Sequence, residues 1–282
     1  MDISIENMIM EKCNLPPIPP VARKVMEVVD DPNITSDALS DVISRDPALT
    51  ARIINIANSP FYWCSRTIDT LKSAIIVIGF NTIRNLVIAI SSKEIYKTHG
   101  LTEQLLWEHS MGVAASAGLI AIELKMKDRE EAFIAGLLHD IGKIVLLNSD
   151  RKGYEDIIRT AYNEDIPCWG IEMERYRFSH AEVGAIVINK WHFSHQLESI
   201  IRYHNDIMSY KEKNEHIEIM ISIIQLANLI CNSLGIGRRK PDSNIDIINT
   251  PPVKRLMLNE EAINLLIEKT TDSFEKEKKL FE

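Results

Sequence analysis

In "GLLHDIGK", residues 136–143, a small apolar run ends in His139 and Asp140, and Lys143 follows. On a helix Lys143 lies three residues after Asp140 and four after His139, so the three side chains share a face. Imidazole beside carboxylate is a ligand pair suited to Fe, Mn, Zn or Co. Three more histidines stand in comparable places. His109 follows Leu105 and Leu106 and precedes Val113, on the apolar face of a helical segment. His180 opens "HAEVGAIVINKW", and His204 closes "LESIIRYH", one turn after Ile200 and Ile201. Four histidines and one carboxylate thus fall at the inward edges of four helices. Facing helices of a bundle are a recurrent source of metal ligands. Such residues also persist as hydrogen-bonded core groups, each needing a buried partner. The role expected of Lys143 is a salt bridge to Asp140 or a nearby acid. The other histidines fit ordinary places. His99 falls in a loop, His192 and His195 flank a turn where the pattern becomes polar, and His216 is near a helix start.

The elements that must position these residues read almost entirely as helices. In 36–45, Leu39, Val42 and Ile43 recur at helical spacing, with Ser36 as the expected N-cap. Pro47 suits a first helical turn after a capping Asp46. The β-branched run Ile75 to Ile78 could form a strand, but its flanks have helical spacing, so two helices broken near Gly79 are predicted. Gly100 is expected to end one helix and Thr102 to cap the next. Further helices are predicted over roughly 102–125, 128–147, 151–163, 180–191, 196–205 and 215–233. "GRRKPDSNIDIINTPPVKR" carries three prolines and reads as a loop; "EEAINLLIEKTTDSFEKEKKLFE" reads as a final amphipathic helix. The expected fold is all-α with two helical subdomains. The boundaries are 1–98, then 99–235, with 236–282 a loop and C-terminal helix packing on the bundle.

The 282 residues are 45% apolar and 26% charged, which excludes a disordered chain. Lys and Arg number 32 against 40 Asp and Glu, a net charge of −8, so no general nucleic-acid binder is expected. Arg238, Arg239 and Lys240 make a short basic run that reads as a solvated loop. Cys13, Cys64, Cys168 and Cys231 are far apart and form no CxxC pattern. They are expected to be ordinary thiols in a reducing compartment. The opening "MDISIENMIMEKCN" lacks the features of a signal peptide, and the longest apolar stretch, around "SAIIVIGF", is short for a membrane span. A soluble, cytoplasmic protein with no membrane association is expected.

"LLHDIGK" resembles the HD superfamily of metal-dependent phosphohydrolases. "LPPIPP" at 15–20, "DPALTARIINIANSPFY" at 46–62 and "TLKSAIIVIGFNTIRNLVIA" at 70–89 resemble more specifically the HDOD family, the HD-related output domain of bacterial signalling. With "LWEHSMGVA" and "FIAGLLHDIGKIVL" the resemblance runs to about residue 230. It implies an HD-like helical bundle in the second subdomain. His109 is then the first ligand, His139 and Asp140 the dyad, and His180 and His204 the further ligands of two-metal relatives. Two positions depart from the pattern. Asn205 stands where relatives often have a second histidine, and Asn228 stands where a late Asp is expected. The Gly-Tyr-Pro signature of the cyclic-di-GMP hydrolases is absent from the sequence.

Asparagine offers an oxygen but no charge, so affinity for a metal should fall. The resemblance therefore implies a signal-transduction output module acting on signalling proteins in trans. Its metal pocket would be degenerate, with Fe, Mn or Zn as the ion it could hold, and would have no hydrolase activity. The second reading is a metal-dependent phosphohydrolase acting on a nucleotide or cyclic dinucleotide. The five ligands would then bind one or two metals, and Lys143 would hold phosphate.

Overall fold

The computed structural model describes residues 3–58, 67–96, 100–164, 166–238, 240–242 and 244–281; Cys64, His99 and Arg239 lie outside them. The chain runs through α1 (Ile3–Lys12), α2 (Pro20–Val29), α3 (Ser36–Ile43), α4 (Pro47–Ala57), α5 (Leu71–Ile78) and α6 (Phe80–Ser91). It continues through α7 (Leu101–Glu123), α8 (Arg129–Leu138), α9 (Ile141–Ser149), α10 (Arg151–Glu164) and α11 (Cys168–Tyr176). The last helices are α12 (His180–Lys190), α13 (His195–Tyr203), α14 (Glu215–Leu234), α15 (Pro251–Leu256) and α16 (Glu260–Phe281). There is no strand among the described residues. The fold is all-α, as expected.

Local chemistry accounts for several helix ends. Asp46 Oδ1 accepts the amide of Leu49 at 3.0 Å with Pro47 in the first turn, as predicted. At α3 the cap is Thr35, not Ser36: Thr35 is extended and its Oγ1 accepts the amide of Ala38 at 3.2 Å. Asp46→Ala should lower stability by about 1 kcal/mol through the lost cap, read as a shift of the urea midpoint. Gly79 divides α5 from α6 with a φ of 89°, and the chain bends there by 115°. A side chain at that φ would be strained, so glycine makes the predicted break. Gly100 does not end a helix. It is the extended residue before α7, which begins at Leu101 without a side-chain cap from Thr102. The loop expected over 237–255 contains α15, because Pro251 and Pro252 occupy the first turn, where no amide hydrogen is needed.

The chain forms two compact units. One comprises Ile18–Lys97 with Asp272–Glu282; the other comprises Met1–Pro17 with Thr98–Thr271. The first 17 residues thus group with the histidine-rich unit. In the smaller unit α2 packs on α3 and α6, and α5 packs on α3, α4 and α6. Val25, Leu39, Ile43, Ile53, Ile75 and Ile83 are fully buried there. In the larger unit α7 packs on α8 and α14, while α12 packs on α9 and α13. The small side chains of Ala114, Ser116 and Ala117 let α7 be buried on several faces at once.

The expectation that every apolar stretch is short for a membrane span is corrected by the helix lengths. Leu101–Glu123, Arg129–Ser149 and Glu215–Leu234 are long and apolar enough to cross one by length and composition. Their apolar windows are 72%, 83% and 56% buried inside the fold, so helix packing takes up most of that surface.

Candidate metal centre

The helix predicted over 128–147 is broken at the dyad. α8 ends at Leu138, His139 caps it, and α9 begins at Ile141. A histidine at a helix C-terminus can bond a terminal carbonyl, and His139 Nδ1 does so with Gly136 O at 2.7 Å. His204 caps α13 in the same way, its Nδ1 2.6 Å from Ile201 O. His109 lies within α7, and its Nδ1 is 3.2 Å from Ile236 O, in the loop after α14. His180 is the first residue of α12, set by the capping box of Ser179 and Glu182. Its Nδ1 lies 2.7 Å from Glu172 Oε2 on α11.

Carbonyl and carboxylate oxygens only accept, so all four rings carry their proton on Nδ1. Each Nε2 is left facing Asp140. From Oδ2, His139 Nε2 is at 3.3 Å and His109 Nε2 at 3.7 Å. From Oδ1, His180 Nε2 is at 3.2 Å and His204 Nε2 at 3.6 Å. The structure therefore brings together all five residues singled out in the sequence, each at most 6% exposed. Two triads result, His109–His139–Asp140 and Asp140–His180–His204.

Nitrogens that converge on a carboxylate in a buried site need positive charge among them, from a proton, an ammonium or a metal ion. Neither Asp140 oxygen nor His139 Nε2 makes a hydrogen bond of normal geometry. Lys143 supplies one positive charge, its Nζ 2.6 Å from Asp140 Oδ2. The salt bridge is thus the role Lys143 takes. Burial opposes ionisation of Asp140, but His139 and Lys143 outweigh it and hold the carboxyl well below its usual range. Burial likewise opposes the Lys143 charge, and Asp140 more than compensates. Burial pushes His109 down to about 3 and His204 down to about 4, so both are neutral donors near neutral pH. Imidazole nitrogens gathered around a carboxylate fit a divalent transition metal.

Glu172 was not singled out in the sequence. It is fully buried and takes four hydrogen-bond contacts: His180 Nδ1 at 2.9 and 2.7 Å, the His180 amide at 2.7 Å and the Tyr154 hydroxyl at 2.6 Å. Burial would raise its pKa, yet these partners lower it. Burial alone would lower His180, but the Glu172 charge raises it. A carboxylate behind a ring fixes its orientation and increases its basicity as a ligand.

The two asparagines differ. Asn205 Nδ2 lies 3.0 Å from His180 Nε2, so Asn205 is part of the centre. Asn228 Oδ1 accepts from Asn232 Nδ2 at 3.1 Å, one turn along α14. Of the histidines set aside in the sequence, His195 lies 3.9 Å from Glu212 and His216 lies 3.4 Å from Glu131, both away from Asp140.

The model of the HDOD domain matches residues 15–207. The chain belongs to the HDOD family. An HDOD domain protein of unknown function from Geobacter sulfurreducens superposes with a TM-score of 0.71 at 24% identity, over 97% of this chain and 94% of its own. A protein from Shewanella amazonensis SB2B, provisionally named a phosphohydrolase, has a TM-score of 0.69 at 24% identity, over 99% and 98%. These likenesses concern the fold. A protein of Treponema pallidum (strain Nichols) is 20% identical over 221 residues, 77% of this chain and 42% of its own length. The chain thus spans less than half the length of that relative. The HDOD signature "LPPIPP" begins in the histidine-rich unit, where Trp191 Nε1, at the end of α12, donates to Pro16 O at 3.2 Å.

Proposed function

We propose that this HDOD protein is a bacterial, cytoplasmic signalling output module that acts through contacts with other proteins in trans. Its buried centre binds a divalent ion, with Fe, Mn and Zn as candidates, and does not turn over phosphoesters. The observation that carries this reading is the ion pair of Lys143 with Asp140 Oδ2, 2.6 Å apart. The charge that would hold a substrate phosphate neutralises the dyad instead. A solved protein of similar fold from Marinobacter aquaeolei VT8, provisionally named for signal transduction, is consistent with the same direction; it has a TM-score of 0.66 at 20% identity, over 95% of this chain and 60% of its own.

The convergence of four imidazoles favours a second reading, metal-dependent phosphoester hydrolysis. A bound metal would lower the pKa of a water and polarise phosphoryl oxygens. His109, His139, Asp140, His180 and His204 would hold it. Purified protein loaded with Mn²⁺, Fe²⁺ or Zn²⁺ should give no sustained hydrolysis of a panel of nucleotides and cyclic dinucleotides. Steady turnover that disappears in Asp140→Ala would establish the second reading and reject the first.

A further inference from the structure

We infer that a single divalent ion binds on the Oδ1 side of Asp140, held by His180, His204 and Asp140, with Glu172 contributing a second negative charge through His180. This rests on reading the centre as one that binds an ion, and it says which half does so.

The two halves of the centre differ in the charge placed directly against them. On the Oδ2 side, His109 and His139 face an oxygen already paired with the Lys143 ammonium at 2.6 Å. A dication there would stand beside a fixed positive charge in a buried site, where repulsion is poorly screened. Asn228, whose oxygen is bonded to Asn232, brings no negative charge to offset it. On the Oδ1 side, His180 and His204 present their Nε2 atoms at 3.2 and 3.6 Å. Behind His180 stands Glu172, fully buried and bonded to the ring at 2.7 Å. The Lys143 charge acts on His180 as well as on His109, so what sets the Oδ1 half apart is the buried anion behind its ring.

Asn205 is the apparent obstacle, because its Nδ2 lies 3.0 Å from His180 Nε2. A carboxamide has two faces, however. Half a turn about its terminal bond replaces the NH₂ with an oxygen. The residue that donates to a bare Nε2 can therefore offer oxygen to a cation. Lys143 has no such second face, since an ammonium only donates. Glu172 is then a positioning residue: it acts on the ion through His180.

The test is calorimetric titration of the full chain with Co²⁺, with the visible absorption of bound Co²⁺ as a second readout. One ion per chain is expected. His204→Ala should weaken binding at least about 100-fold, and Glu172→Gln about 10–100-fold. His109→Ala should change the Kd by less than about 3-fold, because it leaves the Oδ1 half intact. If His204→Ala does not melt cooperatively, His204→Gln takes its place. Two ions per chain, or a larger loss in His109→Ala than in His204→Ala, would overturn the assignment. A Glu172→Gln protein with a lower Tm but unchanged Kd and Co²⁺ spectrum would make Glu172 purely structural and would also overturn it. Failure of the unaltered protein to bind Co²⁺ sinks the ion site and leaves the non-hydrolytic signalling reading standing. Steady phosphoester turnover by the loaded protein sinks that reading and leaves the ion site standing.

Discussion

Lys143→Met should destabilise the metal-free protein by about 3–5 kcal/mol, the usual cost of stripping one partner from a buried ion pair. Asp140 is 2% exposed, and neither of its oxygens makes a hydrogen bond of normal geometry, so no other group takes up its charge fully. Methionine keeps the length of the side chain and its packing, which isolates the charge as the variable. Saturating divalent metal should restore much of the loss, since an ion at about 100 times its Kd stabilises the folded state by about 2.7 kcal/mol. Urea titrations with and without Zn²⁺ would measure both effects. A variant within about 1 kcal/mol of the parent in metal-free buffer would contradict the pairing described above.

The second large effect concerns Gly142, which follows the dyad by two residues. A Cβ built there would lie 1.9 Å from His180 O and 2.8 Å from Gly184 N, both backbone atoms of α12. Neither can move aside without carrying the helix with it. Gly142→Ala should therefore cost about 3 kcal/mol, at the upper end of ordinary overpacking. It should also weaken ion binding, because pushing α12 from α9 moves His180 away from Asp140. Gly170 is the matched control: a Cβ there meets nothing within 4 Å. Gly170→Ala on α11 should stabilise by about 0.5–1 kcal/mol through helix propensity. Thermal melts of the two variants should move in opposite directions, and equal losses would contradict the close approach of α9 and α12.

The legible part of this centre was the part written in local pattern. Helical spacing placed His109 on an apolar face, and chain order set His180 at the start of one helix and His204 at the end of another. Asp46 with Pro47 and the break at Gly79 are likewise local, and they were readable for that reason. Glu172 was not. It sits two residues from Glu174 in "CWGIEMERY", and no period distinguishes them; Glu172 is buried because Tyr154 and His180 arrive from other helices. The break at His139 and Asp140 was hidden as well. The apolar pattern continues across it, and only the turn of the backbone ends α8. The roles of Lys143 and Asn205 depended on distances that spacing does not contain.

The Nδ1 anchors have an entropic consequence. His139 and His204 each lean on a carbonyl three residues earlier in their own segment. Their orientation is therefore a property of the main chain, independent of what other side chains do. Holding a ring still costs about 1 kcal/mol of lost rotamer freedom. Here that cost is met when the chain folds, not when an ion arrives. Ring positions fixed this way are set before any ion is bound. The centre is thus preorganised by its main chain, which leaves less ordering to be done when an ion enters.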